Sequence, residues 1–117
     1  MYSLDLKYLR DANKRRQVEW TGNAPVSLLF RATELAGETG EAMNIVKKLE
    51  RERLGWPGSR ATREQLADEL ADIIICVDLL AMTEDIDLAD AIARKFNTTS
   101  LKVGLNTLLL LDEEGES

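Results

Sequence analysis

The sequence predicts a single all-α domain, a four-helix bundle, on three grounds. Its 117 residues are 44% hydrophobic, enough for one core and too few for two domains. Leu, Ala, Glu, Arg and Asp dominate, and Pro25 and Pro57 are its only prolines. No internal repeat, low-complexity tract or linker divides the chain, so residues 1–117 read as one unit.

Ser3 is expected to cap a first helix running to about Gln17, with Leu6 and Leu9 on its apolar side. The Thr21-Gly22-Asn23-Ala24-Pro25 stretch is a turn. A second helix starts at Ser27, passes Leu49 and stops at Leu54-Gly55, where glycine suits the left-handed residue after a helix end and Pro57 follows. Residues 55–59 form the clearest loop. Thr62-Arg63-Glu64-Gln65 has capping-box spacing and opens a third helix that runs to about Met82. Asp87 caps a fourth, from Leu88 to about Asn97 or a turn further. Residues 105–111 end in four leucines that need cover, and the acidic end at 112–117 is expected to fray.

Missing residues exclude several chemistries. Without His there is no Ser-His-Asp triad, Cys-His pair or His-containing metal site. One cysteine, Cys76, forbids an internal disulfide and any Cys-x-x-Cys pair; it reads as a small buried hydrophobe in a cytoplasmic protein. No apolar run reaches the length of a membrane span, and the N-terminal residues lack a basic stretch followed by an apolar one. Fifteen Lys and Arg against 21 Asp and Glu give a net charge of -6, which disfavours nucleic acid as a partner. An acidic site that reaches phosphates through a divalent cation stays open.

The acids are not scattered. At about 100° per residue, Glu34, Glu38 and Glu41 fall within about 60° of one another on the second helix. They border the apolar face of Leu28, Leu35, Ala42, Val46 and Leu49, so Glu38 is expected to be partly buried beside Ala42 and Ile45. On the third helix Glu69 lies in the arc of Leu66, Ile73, Cys76, Val77 and Leu80, and Asp72 at its edge beside Leu79. A carboxylate on a core face is costly unless protonated, paired or bound to a cation. Residues 66–82 contain no basic residue, although Arg or Lys from elsewhere in the core would serve. Either pair alone would be solvated decoration; both together, on consecutive antiparallel helices, can converge. Hard oxygen ligands select Mg²⁺, with Mn²⁺ able to substitute, and Mg²⁺ takes phosphate oxygens as further ligands.

Glu38-Thr39-Gly40-Glu41, preceded by Glu34-Leu35-Ala36-Gly37, and Glu69-Leu70-Ala71-Asp72-Ile73-Ile74 resemble the Glu-x-x-Glu and Glu-x-x-Asp signature of the MazG-like nucleoside triphosphate pyrophosphohydrolases. That all-α superfamily also includes dimeric dUTPases and phosphoribosyl-ATP pyrophosphohydrolases. The similarity spans about residues 28–104, and small stand-alone members share Lys95-Phe96-Asn97. The resemblance implies cleavage of a (d)NTP between the α and β phosphates, giving the monophosphate and pyrophosphate. It implies Mg²⁺ held by Glu38, Glu41, Glu69 and Asp72, with Glu41 orienting or deprotonating the attacking water and Glu34 as an accessory acid. It also implies a homodimer or homotetramer and a role in clearing non-canonical or surplus (d)NTPs or in controlling a nucleotide alarmone pool.

Substrate contacts follow less directly. Lys95 and Lys102, seven residues apart, share a helix face and are candidates for phosphate, as is Lys48 beside Lys47. Where relatives carry an Arg two turns after the Lys, this chain has Lys102 followed by Val103, so the bidentate fork is missing. Asn13 and Trp20 lie where some relatives contact the nucleoside, though Trp20 equally suits a core anchor; Trp56 reads as a loop lid or as packing. Two rival functions remain: dUTP or phosphoribosyl-ATP hydrolysis, and a helical interaction protein with no catalysis.

Overall fold

The computed structural model describes residues 4–110 and contains four helices, α1 (Leu6–Thr21), α2 (Leu28–Arg53), α3 (Arg63–Thr83) and α4 (Leu88–Lys102), with no strand among the described residues. Each begins at a short polar side chain that accepts the backbone amide three residues on: Asp5 from Tyr8, Ser27 from Phe30, Thr62 from Gln65 and Asp87 from Asp90. The capping box forms, with Gln65 Oε1 accepting from the Thr62 amide at 2.8 Å. The first boundary differs from expectation. Ser3 lies outside the described residues; Asp5 caps α1, which continues a turn past Gln17 to Thr21.

Three helices stop by one device. After α2 the Trp56 amide donates to the Arg51 carbonyl and the Gly55 amide to Glu52, both at 3.0 Å, with Gly55 at φ 73. Gly104 closes α4 in the same way. At the end of α3 the left-handed position falls to Asp85, φ 53, a residue type whose short polar side chain tolerates it.

The most extensive packing is between α2 and α3, with α1 laid across α3 and a smaller contact from α1 to α4. The α2–α3 pair is antiparallel: Arg51 hydrogen-bonds Ser59 at the loop end, Glu38 meets Glu69 further along, and Arg31 lies near Cys76 beyond that. Arg10 on α1 donates to the Ile86 carbonyl and pins the connection into α4.

The core is small, built around Ala42, Cys76, Leu79, Ala81 and Ala93. The expected apolar face of α2 is only partly inward: Ala42 is buried and Leu35 and Leu49 half-buried, but Leu28 and Val46 are 45% and 41% exposed. One helix, α3, covers most of α2, and a single neighbour cannot bury an arc that wide. Residues 105–110 are not helical. Asn97 clasps them back onto α4, its Nδ2 donating to the Leu109 carbonyl at 2.9 Å and its Oδ1 accepting the Leu109 amide at 2.6 Å. The leucines stay exposed there; Leu111 and the acidic end expected to fray lie outside the described residues. No described helix is long and apolar enough to cross a membrane.

Candidate metal centre and adjoining cavity

Glu38 and Glu41 stand one turn apart on α2, and α3 brings Glu69 opposite them. One carboxylate oxygen from each lies within 4.8 Å of the others. Oxygens bound to one Mg²⁺ at about 2.1 Å lie about 3–4.2 Å apart, so rotamer adjustments of well under ~2 Å complete such a site. Glu38 and Glu69 are half-buried and Glu41 exposed, which makes the cluster a rim rather than a closed cage. Oε2 of Glu38 and Oε2 of Glu69 are buried with no hydrogen-bond partner among the described residues. Buried carboxylate oxygens are almost always satisfied, and an orphan oxygen on each of two neighbouring glutamates fits a cation. Asp72 is exposed and outside this trio, yet near enough for its charge to act on both Glu38 and Glu69.

Glu38 and Glu69 both hold their protons more tightly than an ordinary glutamate. Burial is the first cause for each, followed by the charge of Glu41 and then of Asp72. Between the ordinary value of 4.5 and these raised values, the folded chain binds more protons than the unfolded one. The metal-free protein is therefore expected to lose stability as pH rises through that window. Thermal melts in chelator across pH 4.5–7 check this: Glu38→Gln should flatten the slope, and a slope of opposite sign contradicts it.

A cavity of about 700 Å³ opens beside the acids, lined by Glu34, Glu38 and Asp72 together with Asn13, Trp20 and Arg31 among others. Trp20 is 78% exposed at the rim with Arg16 5.8 Å from its ring, so it is not a core anchor. Asn13 is buried; its Nδ2 donates to Oδ2 of Asp78 at 2.9 Å. Asp78 is fully buried and also accepts from Arg10 Nε at 3.1 Å. Arg31 is buried in the same wall and pairs with an acid of its own helix. Its Nη1 donates to Glu34 at 3.0 Å and its Nη2 to Gln17 Oε1 at 2.8 Å, while its buried Nε has no partner among the described residues. Glu34 is thus held in an ion pair.

Arg31 and Asp78 escaped the reading of the sequence. Asp78 gave the same signal as Asp72, an acid inside an apolar helix, and Arg31 stands three residues before Glu34, the spacing of a helix ion pair. The expected phosphate lysines are elsewhere: Lys95 and Lys102 are exposed on α4, Lys48 is half-buried on α2, and none lines the cavity. Trp56 is exposed and does not line it either.

Cys76 is buried in the cavity wall, and burial, with smaller contributions from Glu34, Glu38 and Asp72, pushes its thiol up to about 11. A thiol so protonated is a poor nucleophile. Labelling by a thiol reagent at neutral pH is expected to be ~100-fold slower in the native protein than in denaturant; comparable rates would contradict the burial.

Compared with protein-family models, curated proteins and solved structures, the chain finds no match in any of the three.

Proposed function

We propose that this protein is a divalent-cation-dependent nucleoside triphosphate pyrophosphohydrolase that cleaves a (d)NTP between its α and β phosphates. The observation that carries the reading is that Glu38 and Glu69, each with a buried, unpartnered carboxylate oxygen, meet Glu41 beside a nucleoside-sized cavity. Glu38, Glu41 and Glu69 would hold Mg²⁺ or Mn²⁺, with Asp72 at the cavity side of the cluster. The ion supplies charge neutralisation between carboxylates and phosphates, Lewis acidity and a lowered pKa for water. Glu41, the most exposed of the three, orients the attacking water and accepts its proton in a chain with no histidine. Glu34 anchors Arg31 in the cavity wall.

The working form is a homo-oligomer, a homodimer or homotetramer. What supports this is that Leu29, Phe30, Met43, Leu70 and Ile74 on α2 and α3 are exposed, and a second copy is the simplest cover for them.

The assay is a panel of standard and modified (d)NTPs, with dUTP and phosphoribosyl-ATP, scored for pyrophosphate and orthophosphate in Mg²⁺ and in chelator. Pyrophosphate as first product, lost in chelator, is the expected result. Orthophosphate as the primary product, or no hydrolysis of any member, overturns the reading.

A further inference from the structure

The connection between α2 and α3 is built to hold one shape. Arg51, half-buried in the last turn of α2, donates from Nη1 to the Ser59 carbonyl at 3.1 Å and to Ser59 Oγ at 3.3 Å. Its own carbonyl accepts the Trp56 amide at 3.0 Å. Gly58, at φ 132, packs so closely on the same arginine that a Cβ there would lie 2.8 Å from Arg51 Cδ. A loop fastened at two points by one residue presents its outward groups without a further ordering cost.

Those groups are of two kinds. Leu54 and Trp56 are 42% and 61% exposed, an apolar pair at the tip of the helical hairpin. Arg60 and Arg63 follow, both exposed; Arg53 pairs with Glu50, but neither of these two meets an acid among the described residues. The charge here runs against the rest of the chain. Residues 47–64 have six Lys and Arg against three Asp and Glu, and all other positions nine against 18. The same two-part pattern recurs once with its sign inverted. Leu108, Leu109 and Leu110 are exposed, and the sequence continues Leu111-Asp112-Glu113-Glu114-Gly115-Glu116, four acids with no base among them. Asn97 fastens the Leu109 backbone to α4, which packs chiefly on α1. Among the described residues, no hydrogen bond or ion pair joins that stretch to the hairpin tip of its own chain.

We propose that the hairpin tip of one copy docks the acidic segment 112–116 of a second copy, with Arg60 and Arg63 facing its carboxylates and Leu54 and Trp56 covering the leucines that precede them. The proposal rests on the homo-oligomer reading and adds a surface apart from the exposed faces of α2 and α3. Guanidinium groups match carboxylates in geometry as well as charge. One exposed ion pair is weak, so the contact needs several charges and the apolar half together. The two halves also set its direction, since leucines against arginines, or acids against Trp56, would leave both mismatched. Nucleic acid would suit the arginines alone, and the 18 acids outside the tip repel it.

The test uses two co-expressed full-length variants, both with Cys76→Ala. In one, Trp20→Phe leaves Trp56 as the only indole. The other has Trp20→Phe, Trp56→Phe and Gly115→Cys, labelled with a nitroxide that quenches indole emission on contact. Trp56 emission is expected to be quenched by the label on the other copy, and the quenching to be lost in 1 M NaCl, where charges are screened beyond about 3 Å. Arg60→Glu with Arg63→Glu in the indole copy should abolish it at low salt. Glu113→Lys with Glu114→Lys in the labelled copy should then restore it, a rescue that a folding defect at the tip would not show. No quenching at low salt, quenching indifferent to the charge reversal, or reversal without rescue overturns the proposal. Quenching confined to a chain carrying both Trp56 and the label, which places the contact within one copy, overturns it as well. So does single-stranded DNA that binds in an Arg60- and Arg63-dependent way while the label leaves Trp56 emission unchanged. Sedimentation equilibrium on the same samples separates the two readings: an oligomer without quenching overturns this inference alone, and a monomer overturns the oligomer reading with it.

Discussion

Glu38→Gln and Glu69→Gln are each expected to lower kcat/KM for the best nucleoside triphosphate by ~10³-fold, the scale of several kcal/mol of transition-state stabilisation. Each removes a half-buried carboxylate whose second oxygen has no partner among the described residues. Stability should move the other way. In chelator both variants should melt above the parent, because burial and the neighbouring acids raise the proton affinity of these two groups and the uncharged amide escapes that penalty. Activity lost with stability gained is a signature that general damage to the fold cannot produce. Steady-state kinetics and thermal melts on the same preparations check both signs; variants that keep full activity contradict the assigned roles.

Asp78→Leu is expected to destabilise the fold by about 3 kcal/mol, the low end for breaking a buried ion pair. Its carboxylate is the shared acceptor of Arg10 and Asn13, and Arg10 also holds the Ile86 carbonyl, so one change loosens α1 against both α3 and the connection to α4. Much of the cost is an arginine left without its partner in a side-chain environment only 17% exposed. The double variant Arg10→Met, Asp78→Leu should therefore recover most of it, with the coupling read from a double-mutant cycle in urea. A loss below ~1 kcal/mol for Asp78→Leu would show that the network is not structural.

Helix starts were legible in the sequence because a cap is a local interaction: Ser27, Thr62 and Asp87 each bond an amide three residues away. The α1 start was misread because Ser3 and Asp5 both suit a cap, and local chemistry does not rank two such residues so close together. The acids were legible for a different reason. Glu38 and Glu69 sit against apolar arcs, and helical periodicity reports that from one helix at a time. Their meeting needed the antiparallel register of α2 on α3, which the short connection between the helices supplied.

What the sequence hid was tertiary. The carbonyl of Gln17 is committed to an arginine 14 residues away, and the amide of Asn13 to an aspartate 65 residues away, and neither spacing has a periodicity to betray it. Lys95 and Lys102 share a helix face as expected, but α4 packs chiefly on α1 and its lysines do not line the cavity.

The claim on which the rest depends is that Glu38, Glu41 and Glu69 hold one divalent cation. Anomalous diffraction from a crystal grown with MnCl₂ tests it most directly. The expected result is a manganese peak about 2.2 Å from an oxygen of each of the three carboxylates, with Oε2 of Glu38 or Glu69 among the ligands. A map without a peak between α2 and α3, at a manganese concentration that saturates other carboxylate sites, would contradict it.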